Sequence, residues 1–383
     1  MTFDAIVVGL GGMGSATLYH LARRGLRVLG LEQFTIPHVF GSSHGLTRII
    51  RLAYHESPKY VPLLRRSYEL WDRLQIEAGE PLLHITGSID AGWEGSRTVS
   101  GSLEACREHG LDFSLLTARE LHARSPGYEL PPGMMAVLQP QGGLLVPERC
   151  VIAHVEAARR AGATAVEHQR VLDWEVSPAG VRVRTADGSY DAARLVITAG
   201  PWARTLVPAL SGLAVPERQV VMWTAVEDES LFALDRFPVF NLQASHDDSE
   251  HYYGYPIHGR RGFKIGRYHH RKERGNPEDL SRQTDAEDEE TLRLALRRFF
   301  PKANGPALAL ETCLFTNAPD GHFILDRLEG LPHVAVAAGF SGHGFKFCSV
   351  IGEIMADLVT EGQSPLDLRM FSAARFERPS VVE

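Results

Sequence analysis

Three cationic side chains lie inside apolar runs of this sequence, where charge is uncommon. Arg51 lies in IIRLA, Lys264 in GFKIG and Lys346 in GFKF. A buried guanidinium needs a carboxylate partner, which is either an internal Asp or Glu or the carboxylate of a bound substrate. A lysine in such a run is alternatively an edge-strand residue or a buried stem whose ammonium reaches solvent. Together, Arg51 and Lys346 predict a two-cation clamp on a carboxylate.

Cys313, in ETCLFTNAPDGHFILD, is the next candidate for chemistry. Considered alone, a cysteine before a Thr-Asn-Ala-Pro turn is more often a packing residue. Beside a dinucleotide site it indicates a flavin that is bonded to the protein, and hence an oxidase. The other cysteines, Cys106, Cys150 and Cys348, are too scattered for a disulfide framework, and the absence of CxxC argues against structural zinc. We interpret Cys348 as a packing residue.

A dinucleotide-binding motif occupies the start of the chain. The apolar strand DAIVV enters GLGGMG (9–14), a helix follows to about residue 24, and a second strand ends at Glu32. The first glycine allows the tight turn, the second lets the backbone approach a pyrophosphate, and the third lets helix pack on strand. The acidic residue is placed to bind a ribose. The motif alone does not separate FAD from NAD. Its predicted cofactor residues are Gly9, Gly11, Gly12, Met13, Gly14 and Glu32.

Two glycine-flanked loops and one aromatic segment complete the candidate site. The loops are GSSHGLTRIIRLAYHE (41–56) and GFSGHGFKF (339–347), and the segment is HYYGYPIHGRRGFKIGRYHH (251–270). The histidines of this segment lack an HxxxH pair with a nearby carboxylate, so no metal site is expected. No GxSxG elbow supports a serine hydrolase. The further cofactor residues predicted are Ser42, Ser43, His44, Arg48, Val171, Trp202, Cys313, Gly339, Gly342, His343, Gly344 and Lys346.

Composition excludes several classes of protein. The chain has 383 residues, 44% hydrophobic and 23% charged, with a net charge of -7 and a pI of about 6.2. These values are typical of a soluble globular protein and argue against a nucleic-acid surface. No apolar run approaches the ~20 residues of a membrane span. We find no targeting signal at the N-terminus. A cytoplasmic enzyme without a membrane partner is therefore expected.

The element pattern predicts an α/β fold. A βαβ unit opens the chain, helical patterns cover about 60–78, 147–162 and 285–300, and a strand, a glycine-rich turn and a helix close it. More β-rich stretches interrupt this pattern twice, which predicts two interleaved domains. The Rossmann-like FAD-binding domain is assigned to 1–85, 147–216 and 320–383. The β-rich substrate domain is assigned to 86–146 and 217–319.

Four segments in one order resemble the monomeric sarcosine oxidase family, which includes N-methyltryptophan oxidase and pipecolate and fructosyl-amino-acid relatives. The segments are GSSHGLTRIIR, YYGYP with FKIG, CLFTNAPDGHFILD and AAGFSGHGFKF. The resemblance runs essentially end to end. It implies a p-hydroxybenzoate-hydroxylase-like fold, FAD joined through its 8α-methyl group to Cys313, O2 as the acceptor and a monomeric state.

The resemblance also implies roles for individual residues. Arg51 and Lys346 match the residues that bind the substrate carboxylate, and Tyr253 matches a substrate-site tyrosine. Lys264 matches the lysine that promotes reoxidation of the flavin by oxygen, and a cation there would stabilise developing superoxide. Arg48 and His44 match positions beside the flavin ring.

One position departs from the family. Sarcosine and methyltryptophan oxidases carry a histidine four residues after the lysine that Lys264 matches. The same spacing reaches Tyr268 here, with His269 one residue further. Either residue is thus a candidate for that catalytic position, and the substrate pocket differs.

The implied activity is oxidation of a secondary amine that carries a carboxylate. Demethylation of sarcosine or another N-methyl amino acid would give the amino acid, formaldehyde and hydrogen peroxide. The alternatives are a cyclic imino acid or a glycated amino acid as substrate, an oxygen-independent dehydrogenase, and a non-catalytic dinucleotide-binding sensor. A sensor has no need of three cations in apolar surroundings, which argues against it.

Overall fold

The computed structural model describes residues 2–177 and 180–376. The last part of the predicted FAD-binding domain, 377–383, lies outside the described residues. The α-helices are α1 Gly12–Arg23, α2 Val61–Ala78, α3 Arg97–His109, α4 Ala118–Arg124, α5 Pro147–Arg160, α6 Ala203–Leu206, α7 Ala286–Phe299 and α8 Cys348–Thr360.

The strands form four sheets. In chain order they are β1 Thr2–Phe3, β2 Ala5–Val8, β3 Val28–Leu31, β4 Arg48–Ile50, β5 Leu83–Ile85, β6 Ser88–Trp93, β7 Ser114–Thr117, β8 Met134–Gln139, β9 Gly143–Leu145, β10 Thr164–Val166, β11 Val171–Ser177, β12 Gly180–Thr185, β13 Gly188–Ala192, β14 Leu195–Ile197, β15 Val215–Thr224, β16 Val239–Gln243, β17 His251–Tyr255, β18 Phe263–Arg267, β19 Ala307–Asn317, β20 Ile324–Leu328 and β21 Leu331–Ala338.

A six-stranded sheet carries the dinucleotide motif. Its order is β10-β3-β2-β14-β21-β20, parallel except for the antiparallel edge strand β20. Along β2, Ala5 and Val7 pack in the core formed with α1, α5 and α8. Ile6 and Val8 point to the opposite face, which the sheet β1-β13-β12-β11 covers. The continuous apolar run of β2 thus reflects burial on both faces.

An eight-stranded sheet carries the aromatic segment, in the order β19-β15-β18-β17-β16-β6-β8-β7. Side chains alternate between its faces. Phe263 and Ile265 of β18 pack on the outer face with α7, whereas Tyr253 and Tyr255 of β17 lie on the inner face. Lys264, between Phe263 and Ile265, must therefore also point inward. Strand alternation thus brings this charge to the side of the sheet that carries the tyrosines.

The predicted elements are confirmed within a few residues of their bounds. The helix expected over 285–300 is α7, and Asp285 caps it by accepting a hydrogen bond from the amide of Asp288. Helices α3 and α4 had no predicted counterpart. Gly101 of α3 packs against the main chain of His55. A Cβ atom on Gly101 would lie 2.5 Å from the carbonyl oxygen of His55. Tertiary contact, rather than local preference, therefore shapes this helix.

The division into two interleaved domains stays a prediction. The grouping of strands supports it, since β2, β3, β10, β14, β20 and β21 build one sheet while β6–β8 and β15–β19 build another. The strands of a third, small sheet, β4, β9 and β5, lie in sequence between strands of the first sheet and strands of the second. No helix in the described part of the chain is long and apolar enough to cross a membrane.

Candidate active site

A single cavity joins the dinucleotide motif to the inner face of the large sheet. The predicted residues that line it are Gly9, Gly11, Gly12, Met13, Glu32, Ser42, Ser43, His44, Arg48, Val171, Trp202, Tyr253, Tyr268, Cys313, Gly342, His343, Gly344 and Lys346. The predicted residues that lie outside its lining are Gly14, Gly339, Arg51, Lys264 and His269. The structure thus brings together most of a site that the sequence spreads over more than 330 positions.

The glycine motif forms a tight strand-to-helix turn. Gly9 has a φ of 86°, and a Cβ atom on Gly14 would lie 1.7 Å from the carbonyl oxygen of Gly9. Gly14 therefore lies outside the lining because it packs helix α1 against the turn, as the motif predicts. Gly11 and Gly12 leave bare backbone at the N-terminus of α1. Such an N-terminus is suited to a pyrophosphate.

Glu32 anchors the turn from the end of β3. Its carboxylate is buried and accepts hydrogen bonds from the amides of Leu10, at 2.8 Å, and Phe34, at 3.0 Å. The imidazole of His38 lies 3.5 Å from the same carboxylate. Each carboxylate oxygen retains acceptor capacity, and the residue lines the cavity. Glu32 is therefore positioned to accept hydrogen bonds from ribose hydroxyls.

The loop after β3 is hydrogen-bonded both to the glycine turn and to the cysteine strand β19. Ser43 Oγ accepts a hydrogen bond from the Gly12 amide at 3.0 Å, and Ser42 Oγ donates to the carbonyl of Leu314. Glu148, at the start of α5, accepts from the amides of the loop at 2.6 and 3.1 Å. The serines thus position the loop between the glycine turn and the cysteine strand.

Neither Arg48 nor His44 in this loop has an acidic partner among the described residues. The Arg48 guanidinium donates only to the carbonyls of Ser42 and Thr47, both at 2.8 Å, and forms no ion pair with a described carboxylate. Both ring nitrogens of the buried His44 are without a hydrogen-bond partner among the described residues. Burial, with Arg48 and Lys264 nearby, lowers the pKa of His44 to about 3. The imidazole is therefore neutral.

Lys264 lies beneath the same loop, just outside the lining of the cavity. Its ammonium donates to the carbonyl of Gly45 and, at 2.9 Å, to Oγ1 of Thr47, and it stands 4.6 Å from the ring centre of Tyr255. Burial, reinforced by the positive charge of Arg48, places its pKa well below the usual value. Arg48 and Lys264 thus make this end of the cavity basic, and neither forms an ion pair with a described carboxylate, although Glu148 is near enough to favour the charged form of both.

Cys313 lies on β19 at the wall of the cavity. Its thiol is free and 5% exposed. Burial raises the pKa of the thiol, while Arg48, Lys264 and Arg282 oppose that rise. The thiol therefore lies at the wall of the cavity, near Arg48, Lys264 and Arg282.

Arg51 occupies a separate, paired site. Its Nη2 lies 2.7 Å from Glu56, and its Nη1 lies 3.6 Å from Asp90, which also accepts hydrogen bonds from Ser102 and Asn241. Although burial opposes it, Arg51 holds the pKa of Glu56 well below the usual value. Of the two kinds of partner expected for Arg51, the structure thus shows the internal carboxylate.

Lys346 lines the cavity without a carboxylate partner among the described residues. Its ammonium donates to the carbonyl of His343 at 2.7 Å and lies over the ring of Tyr54 at 5.1 Å. Burial and the nearby Arg51 lower its pKa to about 7. The 3-10 turn Phe345–Phe347 directs this side chain inward. Lys346 is thus a buried cation that a small anion in the cavity can reach.

Tyr268, and not His269, lies in the cavity. The Tyr268 ring packs 5.0 Å from that of Tyr253 and 5.9 Å from that of Phe315. His269 has a φ of 53°, which turns its side chain outward to pair with Glu217 at 2.7 Å. The structure therefore does not bring His269 to the predicted catalytic residues.

Asp90 and Glu56 contribute to the site but are not among the residues predicted from the sequence. Asp90 interrupts the apolar strand SIDAGW, which is the same signal that identified Arg51. Glu56 follows Arg51 by five residues, but nothing in the spacing says that the chain folds back to pair them. Cys348, which we interpret from the sequence as a packing residue, is buried against Gly12. A Cβ atom on Gly12 would lie 2.4 Å from the sulfur of Cys348.

The residues present fit a flavin adenine dinucleotide. The glycine turn and Glu32 offer amides and a carboxylate for the pyrophosphate and ribose, and Arg48 and His44, which has no described partner, line the same cavity. The described residues contain no group of three or more His, Cys, Asp or Glu side chains arranged to hold a metal ion.

Comparison with known proteins identifies the class. Residues 4–358 match the family described as DAO, FAD dependent oxidoreductase, and the chain belongs to this family. It is similar to monomeric sarcosine oxidase of Bacillus sp. (strain B-0618), with 39% identity over 100% of this chain and 97% of that protein. N-methyl-L-tryptophan oxidase of Yersinia pestis (strain Pestoides F) is 35% identical over 98% of this chain and 100% of its own length.

A solved structure confirms the fold. NikD, described as an unusual amino acid oxidase essential for nikkomycin biosynthesis, aligns with a TM-score of 0.82 over 97% of both chains. The identity is 24%. The predicted Rossmann-like α/β fold is thus confirmed, and the monomeric sarcosine oxidase resemblance holds over the whole chain.

Proposed function

We propose that this protein is an FAD-dependent oxidase of N-methyl amino acids, sarcosine or another, with O2 as acceptor. The observation that carries the proposal is one cavity that holds both a dinucleotide cradle and buried cations without carboxylate partners. The similarity to sarcosine and N-methyltryptophan oxidases over the full chain supports it. The expected products are the amino acid, formaldehyde and hydrogen peroxide.

The cofactor residues would hold FAD along the cavity. Gly11, Gly12 and Glu32 would bind its ADP half, and Cys313 would form a thioether to its ring. When bound, FAD supplies the hydride acceptor for amine oxidation and the route of the electrons to oxygen. The position of Cys313 in the lining of the cavity supports attachment there, because a ring bound in the cavity can contact the thiol.

The substrate carboxylate would bind between Lys346 and Arg51. Lys346 already faces the cavity, whereas Arg51 would first exchange Glu56 for the substrate. Glu56 is the more replaceable partner, since 13% of its side chain is exposed compared with 1% for Asp90. Asp90 would remain beside the guanidinium. A two-point clamp of this kind orients the amine for reaction.

The positive end of the cavity would serve the redox steps. Arg48, Lys264 and Lys346 disfavour a further positive charge, so they promote loss of the proton from the bound ammonium. The neutral amine then loses a hydride and a proton to become an imine, which water hydrolyses. Lys264 would stabilise negative charge as oxygen is reduced.

The activity is tested by following oxygen consumption, peroxide and formaldehyde with a panel of amines. We expect turnover with sarcosine or a larger N-methyl amino acid, with formaldehyde and peroxide in equal amounts. Peroxide without formaldehyde from a cyclic imino acid or a glycated amino acid would select one of the alternative substrates. Absence of oxygen consumption with the whole panel would contradict the proposal.

The covalent tether is tested by acid precipitation. We expect the yellow chromophore to remain with the polypeptide, and to be released from Cys313→Ser. Cys106→Ser, which changes a buried cysteine outside the cavity, is the matched control and should retain it. A chromophore that leaves the unmodified protein would show that the flavin is bound without a covalent bond. A monomeric state and a cytoplasmic location stay predictions.

A further inference from the structure

Glu148 contacts the loop that carries Arg48 but does not line the cavity. It lies in the first turn of α5, where the positive end of the helix dipole favours a carboxylate. Its Oε1 accepts hydrogen bonds from the amides of Gly45, at 2.6 Å, and Leu46, at 3.1 Å. The φ angles of these two residues are 95° and 71°, and the second is unfavourable for a residue with a side chain. The carboxylate therefore stabilises a strained turn of the loop.

The same turn connects Glu148 to Lys264. The amide of Gly45 donates to Glu148, and the carbonyl of Gly45 accepts a hydrogen bond from the Lys264 ammonium. The other carboxylate oxygen of Glu148, Oε2, is buried and has no hydrogen-bond partner among the described residues. Because the Lys264 side chain is almost fully buried, salt screens its attraction to this carboxylate only weakly. Glu148 thus favours the charged form of Lys264.

Three other ionisable side chains act on the Lys264 ammonium. Arg48 opposes its positive charge. Glu311 favours that charge, but it pairs with Arg260 at 2.6 Å, which offsets it. Cys313 favours the charge only as a thiolate, and the thioether proposed above would remove that possibility. None of the three thus supplies a lasting negative charge beside the ammonium.

The remaining groups that face Lys264 are uncharged. Burial lowers the pKa of His44 to about 3 and raises the pKa of Tyr255 to about 12, so both side chains are neutral near pH 7. The indole of Trp223, whose ring centre lies 5.2 Å from the ammonium, has no charge. Of the described acids that act on Lys264, Glu148 is therefore the one that no basic side chain pairs with.

We propose that Glu148 is a positioning residue for the reaction with oxygen: it keeps the ammonium of Lys264 charged and fixes the turn to which that ammonium is bound. The proposal rests on the proposed oxidase function, because it concerns the step in which oxygen takes two electrons from the reduced flavin and, with two protons, becomes hydrogen peroxide. A charged ammonium stabilises the negative charge that develops on oxygen, whereas a neutral amine does not. Without Glu148, burial and Arg48 would favour the neutral amine.

The test follows the rate of reoxidation by oxygen as a function of pH, after a stoichiometric amount of dithionite has reduced the flavin without substrate. Lys264 is charged below its pKa, so the rate should be high at low pH and fall as the pH rises through that pKa. In Glu148→Gln the side-chain oxygen can still accept from both amides, but the negative charge is gone. We expect the midpoint of the fall to lie about one pH unit lower in this variant. Glu148→Asp, which keeps the charge, should restore most of the midpoint.

Two controls separate this effect from a general loss of structure. Glu156→Gln removes an exposed acid of the same helix, paired with Arg159, and should leave the midpoint unchanged. In Lys264→Met the fall that belongs to Lys264 should vanish, and adding Glu148→Gln should not change the pH profile further. An unchanged midpoint in Glu148→Gln, or an equal shift when Lys264 is absent, would overturn the proposal.

Urea unfolding gives a readout that does not depend on oxygen. At a pH below the midpoint, Glu148→Gln should lower the urea concentration of half-unfolding more in the protein with Lys264 than in Lys264→Met, because only the former loses this attraction. Equal losses would show that the two charges do not interact, which would overturn the proposal. Failure of the reduced, unmodified protein to react with oxygen at any pH would instead contradict the oxidase proposal, and the oxygen role of Glu148 with it.

Discussion

Two arginines three residues apart, the buried Arg51 and the half-buried Arg48, have opposite surroundings. Arg51 belongs to what we call the paired site, formed by Arg51, Glu56 and Asp90, where two carboxylates face one guanidinium. Arg48 belongs to the open site, formed by Arg48, Lys264 and His44. There the cations bind only carbonyl and hydroxyl oxygens, and the imidazole binds no described residue.

Charge in the paired site stabilises the fold, whereas charge in the open site is available to bind a ligand. A paired charge is costly to disrupt, because removing one partner leaves the other buried and uncompensated. In the open site, removal of a cation leaves no paired carboxylate behind. The basic side chains there are suited to the electron-rich ring of a flavin. The partners of the charged side chains are what distinguish the two sites.

The largest expected effect comes from removing each arginine in turn. Arg51→Met should lower the free energy of unfolding by roughly 3–5 kcal/mol, because Glu56 and Asp90 lose their counter-ion. Arg48→Met should cost no more than about 1–2 kcal/mol, since it leaves only carbonyl groups unpaired. Urea unfolding of both variants measures the difference. Equal losses would remove the distinction between the two sites, and Asp90→Asn added to Arg51→Met should recover part of the larger loss.

Lys264→Met should affect one half of the reaction selectively. Loss of the cation should slow reoxidation by oxygen roughly 10²–10³-fold, as expected for removal of one preorganised electrostatic group. Anaerobic reduction by substrate should change far less. Rapid mixing measures the two steps separately, and Lys264→Arg, which keeps the charge, should retain part of the rate. Equal slowing of both steps would assign Lys264 a structural role.

Lys346 should give carboxylate binding a pH dependence. Its pKa of about 7 means that the ammonium is charged below this pH and neutral above it. The affinity for acetate, an unreactive carboxylate, should therefore decrease as the pH rises through about 7. Lys346→Met should weaken binding about tenfold below pH 7, the range for a hydrogen bond to a charged group. In that variant this step of the pH profile should vanish, and its persistence would assign the titration to another group.

The smallest effect is expected outside both sites. His269→Gln should change kcat/KM by less than about twofold, because the side chain turns away from the active-site cavity to pair with Glu217, and Arg274 still pairs with that carboxylate. Tyr268→Ala removes a ring that packs against Tyr253, so it should raise KM clearly. Steady-state kinetics compares the two. A larger loss in His269→Gln would place the family histidine at 269 after all.

Local sequence alone predicts much of the fold and of the candidate site. The dinucleotide motif needs only a strand, a glycine turn and a helix in succession, and the structure has them at the predicted positions. Arg51, Lys264 and Lys346 could be identified because each lies in an apolar run. Such a run predicts that the charged side chain is buried, even though it does not predict the partner of the charge.

The partners of those charges were not predictable. Asp90 reaches Arg51 because β6 pairs with β16 in the large sheet, and Glu56 does so because the chain folds back after β4. Likewise, the outward turn at His269 depends on a left-handed backbone that the letters RYHH do not indicate. Which charge is paired and which is open is thus a property of tertiary structure.

Oxidation of N-methyl amino acids by a bound flavin and oxygen is the reaction that we propose for this cavity. Anaerobic addition of the best amine of the panel, with sarcosine included, tests it most directly. We predict that the yellow absorbance bleaches completely, and that air restores it with hydrogen peroxide equal in amount to the flavin. A spectrum that no N-methyl amino acid changes, or a bleached protein that air does not reoxidise, would contradict the account.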